Sequence, residues 1–147
     1  LGDVYKRQIL MERTKNPNST IDEKVNRTKR LFKEIGYQGI NLDTEEFYKN
    51  ISAAIDRGGK DDTGFSRQLT AILGSKNRLD KVASIKAPTL IIHGEGDPLI
   101  KVKNAYVSNK LIKNSKLIVL PEMRHLIEPP VFEKFKKNLL IHLTSVK

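Results

Sequence analysis

Two short apolar runs, Thr89-Leu90-Ile91-Ile92-His93 and Lys116-Leu117-Ile118-Val119-Leu120, constrain this chain more than any other feature of it. Each is centred on Leu, Ile and Val and is closed by a turn residue, Gly94 in one case and Pro121 in the other. Continuous runs of this length, without polar alternation, suit strands buried on both faces. Between them, Val102 to Ile112 reads as a helix with a weak stripe of Val102, Tyr106, Val107 and Leu111. After the second run, Pro129-Pro130 opens a last helix, because proline is tolerated at the first helical position. Its inward face is expected to carry Val131, Phe132, Phe135, Leu139 and Leu143. Strand, crossover helix, strand, helix is the order of a parallel β-α-β-α unit with helices covering the sheet. Two strands do not make a stable sheet by themselves, and nothing in residues 9–88 reads as a third.

Upstream of Pro88 the pattern is helical. Thr20 and Glu23 fit a capping box, in which each side chain satisfies an orphan backbone N–H. Val25, Leu31, Phe32 and Ile35 follow at helical spacing, and Gly36 stops the helix. Asp43 or Thr44 caps a second helix with Phe47, Ile51, Ala54 and Ile55 on its apolar face. A third is expected from Phe65 to Leu73, with Leu69, Ile72 and Leu73 inward, after a loop of Lys60-Asp61-Asp62-Thr63-Gly64. The first eight residues stand apart. Asp3-Val4-Tyr5-Lys6-Arg7-Gln8 resembles the in-frame translation of a sequencing-library adapter, the alternative being a natural unstructured leader, so residues 1–8 are set aside from the fold as an expected artefact. The chain is then expected to be the C-terminal part of a longer protein.

Composition removes several classes of function. Leu, Ile, Val and Phe make up 44 of 147 residues, enough for a folded core. With no Cys, disulfides, thiolate zinc sites and a Cys nucleophile are excluded, and three His leave little room for an all-histidine metal site. The net charge of +10 is spread evenly, +5 over residues 1–86 and +5 over 87–147, and 19 of the 27 basic residues are Lys. That is a solvated lysine surface, not a nucleic-acid footprint of clustered Arg. No apolar run approaches the ~18 residues of a membrane span, and no apolar leader is visible, so a cytoplasmic protein is expected.

In a parallel α/β sheet the functional groups sit beyond the carboxyl ends of the strands. Two loops qualify here: His93-Gly94-Glu95-Gly96-Asp97-Pro98-Leu99, and Pro121-Glu122-Met123-Arg124-His125. One offers a carboxylate and the other an imidazole, and a right-handed crossover places their strands side by side. A carboxylate on His Nδ1–H fixes the tautomer and stabilises the imidazolium formed in catalysis. Asp97 before Pro98 also reads as an ordinary turn residue, and His125 as a surface-loop histidine. Glu95 is the weaker acid candidate, His93 lines or supports the site, and His142 is structural. Gly64-Phe65-Ser66-Arg67-Gln68 begins like a nucleophile elbow but lacks the final Gly and a preceding strand. Ser66 therefore reads as a helix cap.

The stretch from Ile85 to Ile100, with its His93-Gly94-Glu95-Gly96-Asp97-Pro98 core, resembles the segment around the seventh strand of α/β-hydrolases. Lys116 to His125 resembles the eighth strand and the loop after it. Residues 20–75 are similar to the family's helical cap. Asp56-Arg57 and Gly64 to Ile72 resemble cap segments of esterases similar to the anthracycline methyl esterases. Glu122 and Arg124 replace two glycines frequent in the family, Leu126 an acidic residue, and Lys101 a proline. The resemblance implies a truncated α/β-hydrolase, with a helical cap region over 9–84 and the C-terminal part of the core over 85–147. It implies a serine carboxylic-ester hydrolase for a small molecule, with Asp97 and His125 as triad acid and base and no cofactor or metal. Nucleophile and oxyanion hole would lie in a missing N-terminal part, so the fragment alone is expected to be inactive. Alternatives are a dehalogenase or epoxide hydrolase on the same fold, or a binding protein that has lost the triad.

Overall fold

The computed structural model describes residues 19–58, 63–75 and 78–145. The adapter-like leader, the loop at Lys60-Asp61-Asp62 and the side chains of Leu69 and Leu73 lie outside the described residues. The described residues fall into two compact units, one within Leu1–Phe32 and Ile40–Asn77, the other within Lys33–Gly39 and Arg78–Lys147.

The first unit is helical. Helix α1 (Ile21–Ile35) begins at the expected capping box: the Thr20 N–H donates to Glu23 Oε2 (2.8 Å) and the Glu23 N–H to Thr20 Oγ1 (3.2 Å). Asp22 and Glu23 in its first turn and Lys33 in its last oppose the helix dipole favourably. Helix α2 (Glu45–Gly58) is capped by Thr44, whose Oγ1 accepts the Phe47 N–H (3.1 Å). Asp43, the other candidate, instead pairs with Lys29 at 2.7 Å. Phe47 meets Phe32 edge to face, ring centroids 5.7 Å apart, while Val25 and Leu42 are buried. Helix α2 itself buries no residue fully, and Ala54 is exposed. Helix α3 (Thr63–Gly74) starts two residues before the expected Phe65, so Ser66 is its fourth residue and not its cap. Ile72, expected inward, is exposed. Helical spacing shows which side chains share a face; whether a neighbour covers that face is decided by tertiary packing.

The second unit holds a short helix α4 (Leu79–Ala83) that the apolar pattern does not announce, then β1 (Thr89–Gly94), α5 (Lys103–Leu111), β2 (Ser115–Leu120) and α6 (Pro129–Ser145). The strands pair in parallel, Thr89 opposite Ser115 through Gly94 opposite Leu120, as the two apolar runs predict. Among the described residues they are the whole sheet. They are half-buried along most of their length, not buried on both faces, because each has a neighbour on one side only. The core gathers Met123, Val131 and Phe135, packed by Tyr37, Ile92, Leu120, Phe132 and Leu139. Four of the five expected inward residues of α6 are thus in or against the core. Leu143 is 61% exposed, lying beyond the reach of so narrow a sheet. In α5 it is Ala105 that is buried, while Tyr106 and Val107 are exposed. A small side chain lets a helix approach closely, and the next residue is rotated by about 100° away.

Candidate active site

Both site loops leave the same edge of the sheet because the strands are parallel and in register up to Gly94 and Leu120. They are then stitched together by backbone. The Glu95 N–H donates to the Leu120 carbonyl (3.0 Å) and the Gly96 N–H to the Met123 carbonyl (3.3 Å). Gly94 permits this approach. A Cβ there would stand 2.3 Å from the Arg124 carbonyl oxygen and 2.4 Å from that of Met123. No side chain fits, so glycine is required by close passage of one loop over the other.

Asp97 is held from two sides. Its Oδ1 accepts the N–H groups of Leu99 (2.8 Å) and Ile100 (2.9 Å), the first donors available after Pro98, which has none. Its Oδ2 stands 3.0 Å from His125 Nδ1. The side chain is 6% exposed. Burial by itself would raise the carboxyl pKa, but hydrogen bonds from the Ile100 N–H, His125 and the Leu99 N–H outweigh it and hold the group below the ordinary aspartate value. Asp97 is therefore an ionised acceptor, and Nδ1–H of His125 is the donor.

His125 is placed by its backbone as well as its ring. Its N–H donates to the carbonyl of Ile35 at the end of α1 (2.8 Å). Its side chain is 31% exposed. With Nδ1 committed to Asp97, Nε2 is the ring nitrogen that this bond leaves open. His93 stands by the same carboxylate: its Nδ1 donates to the Gly94 carbonyl (2.8 Å) and its Nε2 lies 4.0 Å from Asp97 Oδ2, beyond hydrogen-bond range. It flanks the acid and does not replace His125.

The structure thus brings together Asp97 and His125, with His93 alongside. Glu95 is exposed, and the carboxylate that meets His125 belongs to Asp97. His142 is half-buried on α6. Ser66 sits inside a helix, whereas a nucleophile elbow is a strand-to-helix turn. Among the described residues no group of His, Asp and Glu is arranged to hold a metal ion, and no helix is long and apolar enough to cross a membrane. Glu128, a carboxylate 8% exposed that closes the histidine loop, belongs to no site pattern in the sequence. Its signal is an acidic residue directly before Pro129-Pro130, where the helix offers a side chain few N–H groups to cap.

No protein-family model matches the chain, and no curated protein matches it significantly in sequence. Solved structures do match. A protein described as a lipase from Acinetobacter baumannii AYE superposes with a TM-score of 0.62 at 22% identity over 81% of this chain and 42% of its own. The meta-cleavage product hydrolase of Pseudomonas fluorescens IP01 gives 0.60 at 16% identity over 88% of this chain and 47% of its own. A serine hydrolase of carbazole degradation gives 0.55 at 22% identity over 85% and 47%. These enzymes share one architecture. The chain spans less than half of the length of each, and what it carries is part of the α/β-hydrolase fold.

Proposed function

We propose that this chain supplies the acid and base of a serine hydrolase that cleaves a carboxylic ester of a small molecule. The observation that carries the reading is the bond of 3.0 Å between Asp97 Oδ2 and His125 Nδ1, made by residues 28 apart on two adjoining loops. In this reading a serine supplied from outside the described residues attacks the ester carbonyl. His125 Nε2 takes the serine proton and returns it to the leaving alcohol, then activates water to release the acid. Asp97 stays ionised throughout, fixes the Nδ1–H tautomer and offsets the positive charge that forms on the ring. The low pKa direction of Asp97 supports that role, since a carboxylate that took up the proton would no longer orient the imidazole. No cofactor enters these steps.

The test uses the full-length protein that carries this chain and small aryl esters as substrates. His125→Ala is expected to lower kcat by roughly 10³-fold or more, because without its base the serine hydroxyl is a weak nucleophile. Wild-type-like rates in both His125→Ala and Asp97→Asn would remove the pair from catalysis and favour a binding protein on the same fold.

A further inference from the structure

Glu128 is more than nine-tenths buried, yet it does not cap the helix it precedes. A carboxylate at this position ordinarily accepts the N–H of the second or third helical residue. Here the first two helical residues are Pro129 and Pro130, which have none, and the next two N–H groups, of Val131 (3.0 Å) and Phe132 (2.9 Å), go to the backbone carbonyl of Glu128. The side chain is released for another partner. Its Oε1 accepts the N–H of Tyr37 at 2.8 Å, across 91 residues of sequence. Its Oε2 has no hydrogen-bond partner among the described residues.

Tyr37 belongs to a hook, Lys33–Gly39, at the end of α1. Gln38 Nε2 closes the end of α1 by donating to the carbonyls of Lys33 (2.8 Å) and Gly36 (3.2 Å). The Tyr37 ring packs against the Met123, Val131 and Phe135 core. Two residues before Tyr37, the Ile35 carbonyl accepts the His125 N–H. The hook therefore grips the histidine loop at two points three residues apart, one at the backbone of His125 and one at the carboxylate of Glu128.

We propose that Glu128 is a positioning residue for His125, acting through the Lys33–Gly39 hook to hold the imidazole in line with Asp97. The proposal rests on the role of His125 set out above, and it makes acceptor reach, not charge, the property that matters. Glu128→Gln keeps an oxygen at the position of Oε1 and loses the charge. Glu128→Asp keeps the charge and withdraws the oxygen by one methylene. Glu128→Ala removes both.

The experiment is made on the full-length protein that carries this chain, with ¹⁵N-labelled histidine. Long-range ¹⁵N–¹H spectra read the tautomer of His125, hydrogen exchange reads its backbone amide, and aryl-ester kinetics read kcat and KM separately. In Glu128→Asp and Glu128→Ala we expect the Nδ1–H tautomer of His125 to lose its excess, its amide to exchange about five- to tenfold faster and kcat to fall by a similar factor at unchanged KM. Glu128→Gln is expected to stay within about twofold of wild type in all three. If Glu128→Ala fails to fold, the Asp and Gln pair still decides. The proposal is overturned if Asp behaves as wild type, or if Gln falls as far as Asp. A wild-type protein that turns over no ester sinks the functional reading alone, because tautomer and amide exchange still test the brace.

Discussion

The two loops that meet at the site are held in different ways. Beyond the two backbone bonds from Glu95 and Gly96 that join it to the neighbouring loop, the acid loop, from Gly94 to Lys101, ties itself: Asp97 Oδ1 takes the N–H groups of Leu99 and Ile100, and the Asp97 N–H reaches the Gly94 carbonyl at 3.4 Å. The histidine loop, from Pro121 to Glu128, is held largely from outside. Met123 is buried in the core, His125 hangs from the Ile35 carbonyl, and Glu128 takes the Tyr37 N–H. A self-tied loop presents its carboxylate wherever the strand ends. An externally tied loop presents its imidazole only where the rest of the unit has assembled. Precision between the two is then a property of the second loop's anchors.

The largest effect that sharpens this contrast is expected from Asp97→Asn. An amide oxygen still accepts the Leu99 and Ile100 N–H groups, so the acid loop keeps its shape, while under the proposed function the ester turnover of the full-length protein is expected to fall by about 10⁴-fold through loss of the correct tautomer. A crystal structure of the variant with a collapsed acid loop would break the comparison. Met123→Ala is expected next. It removes a core side chain on the histidine loop and costs about 2–5 kcal/mol in urea unfolding, with faster amide exchange at His125 but not at Leu99 or Ile100. Gly94→Ala pushes the loops apart at their crossing and costs about 1–3 kcal/mol by overpacking, with the Asp97–His125 bond lengthened in a structure of the variant.

Acid should act through Asp97. Its pKa is lower in the folded chain than in the unfolded one, so the unfolded state binds more protons as pH falls into the carboxylate range. Its contribution to stability is complete above the ordinary aspartate pKa and is lost as pH falls through the folded value. Denaturation curves of Asp97→Asn should lack that part of the acid dependence; identical curves would show that the carboxylate is not held as described. The smallest effect is expected far from either loop in sequence. Thr20→Ala removes half of the α1 capping box and costs about 1 kcal/mol, leaving the His125 tautomer unchanged.

The contrast between the loops also explains what could be read in the chain. The acid loop was legible because its parts are contiguous: an apolar run, a glycine, and an aspartate before proline, all between Thr89 and Leu99. The capping box at Thr20 and Glu23 and the proline start of α6 were legible for the same reason, since their partners lie within a few residues. His125 was found by its place after a strand. Its support was not, because Ile35 and Tyr37 lie some 90 residues away and act through backbone groups that every residue type carries. Nor does sequence spacing tell that Ala105 faces inward while Tyr106 and Val107 do not. Apolar content ranks faces, and the narrow sheet decides which of them finds a partner.

The span of the Tyr37–Glu128 bond sets a schedule for biosynthesis. The hook emerges from the ribosome 91 residues ahead of the carboxylate that will hold it. At about 5–20 residues per second, that leaves it without this partner for roughly 5–20 s, long after α1 has formed on a sub-microsecond to microsecond scale. During this interval the end of α1 and the ring of Tyr37 are exposed to whatever else is nearby. The hydrogen bonds that Asp97 makes within its own loop span no more than three residues and need no such wait. Slow translation upstream of His125, or a chaperone that shields the end of α1, would therefore affect the yield of a correctly set imidazole while leaving the aspartate untouched.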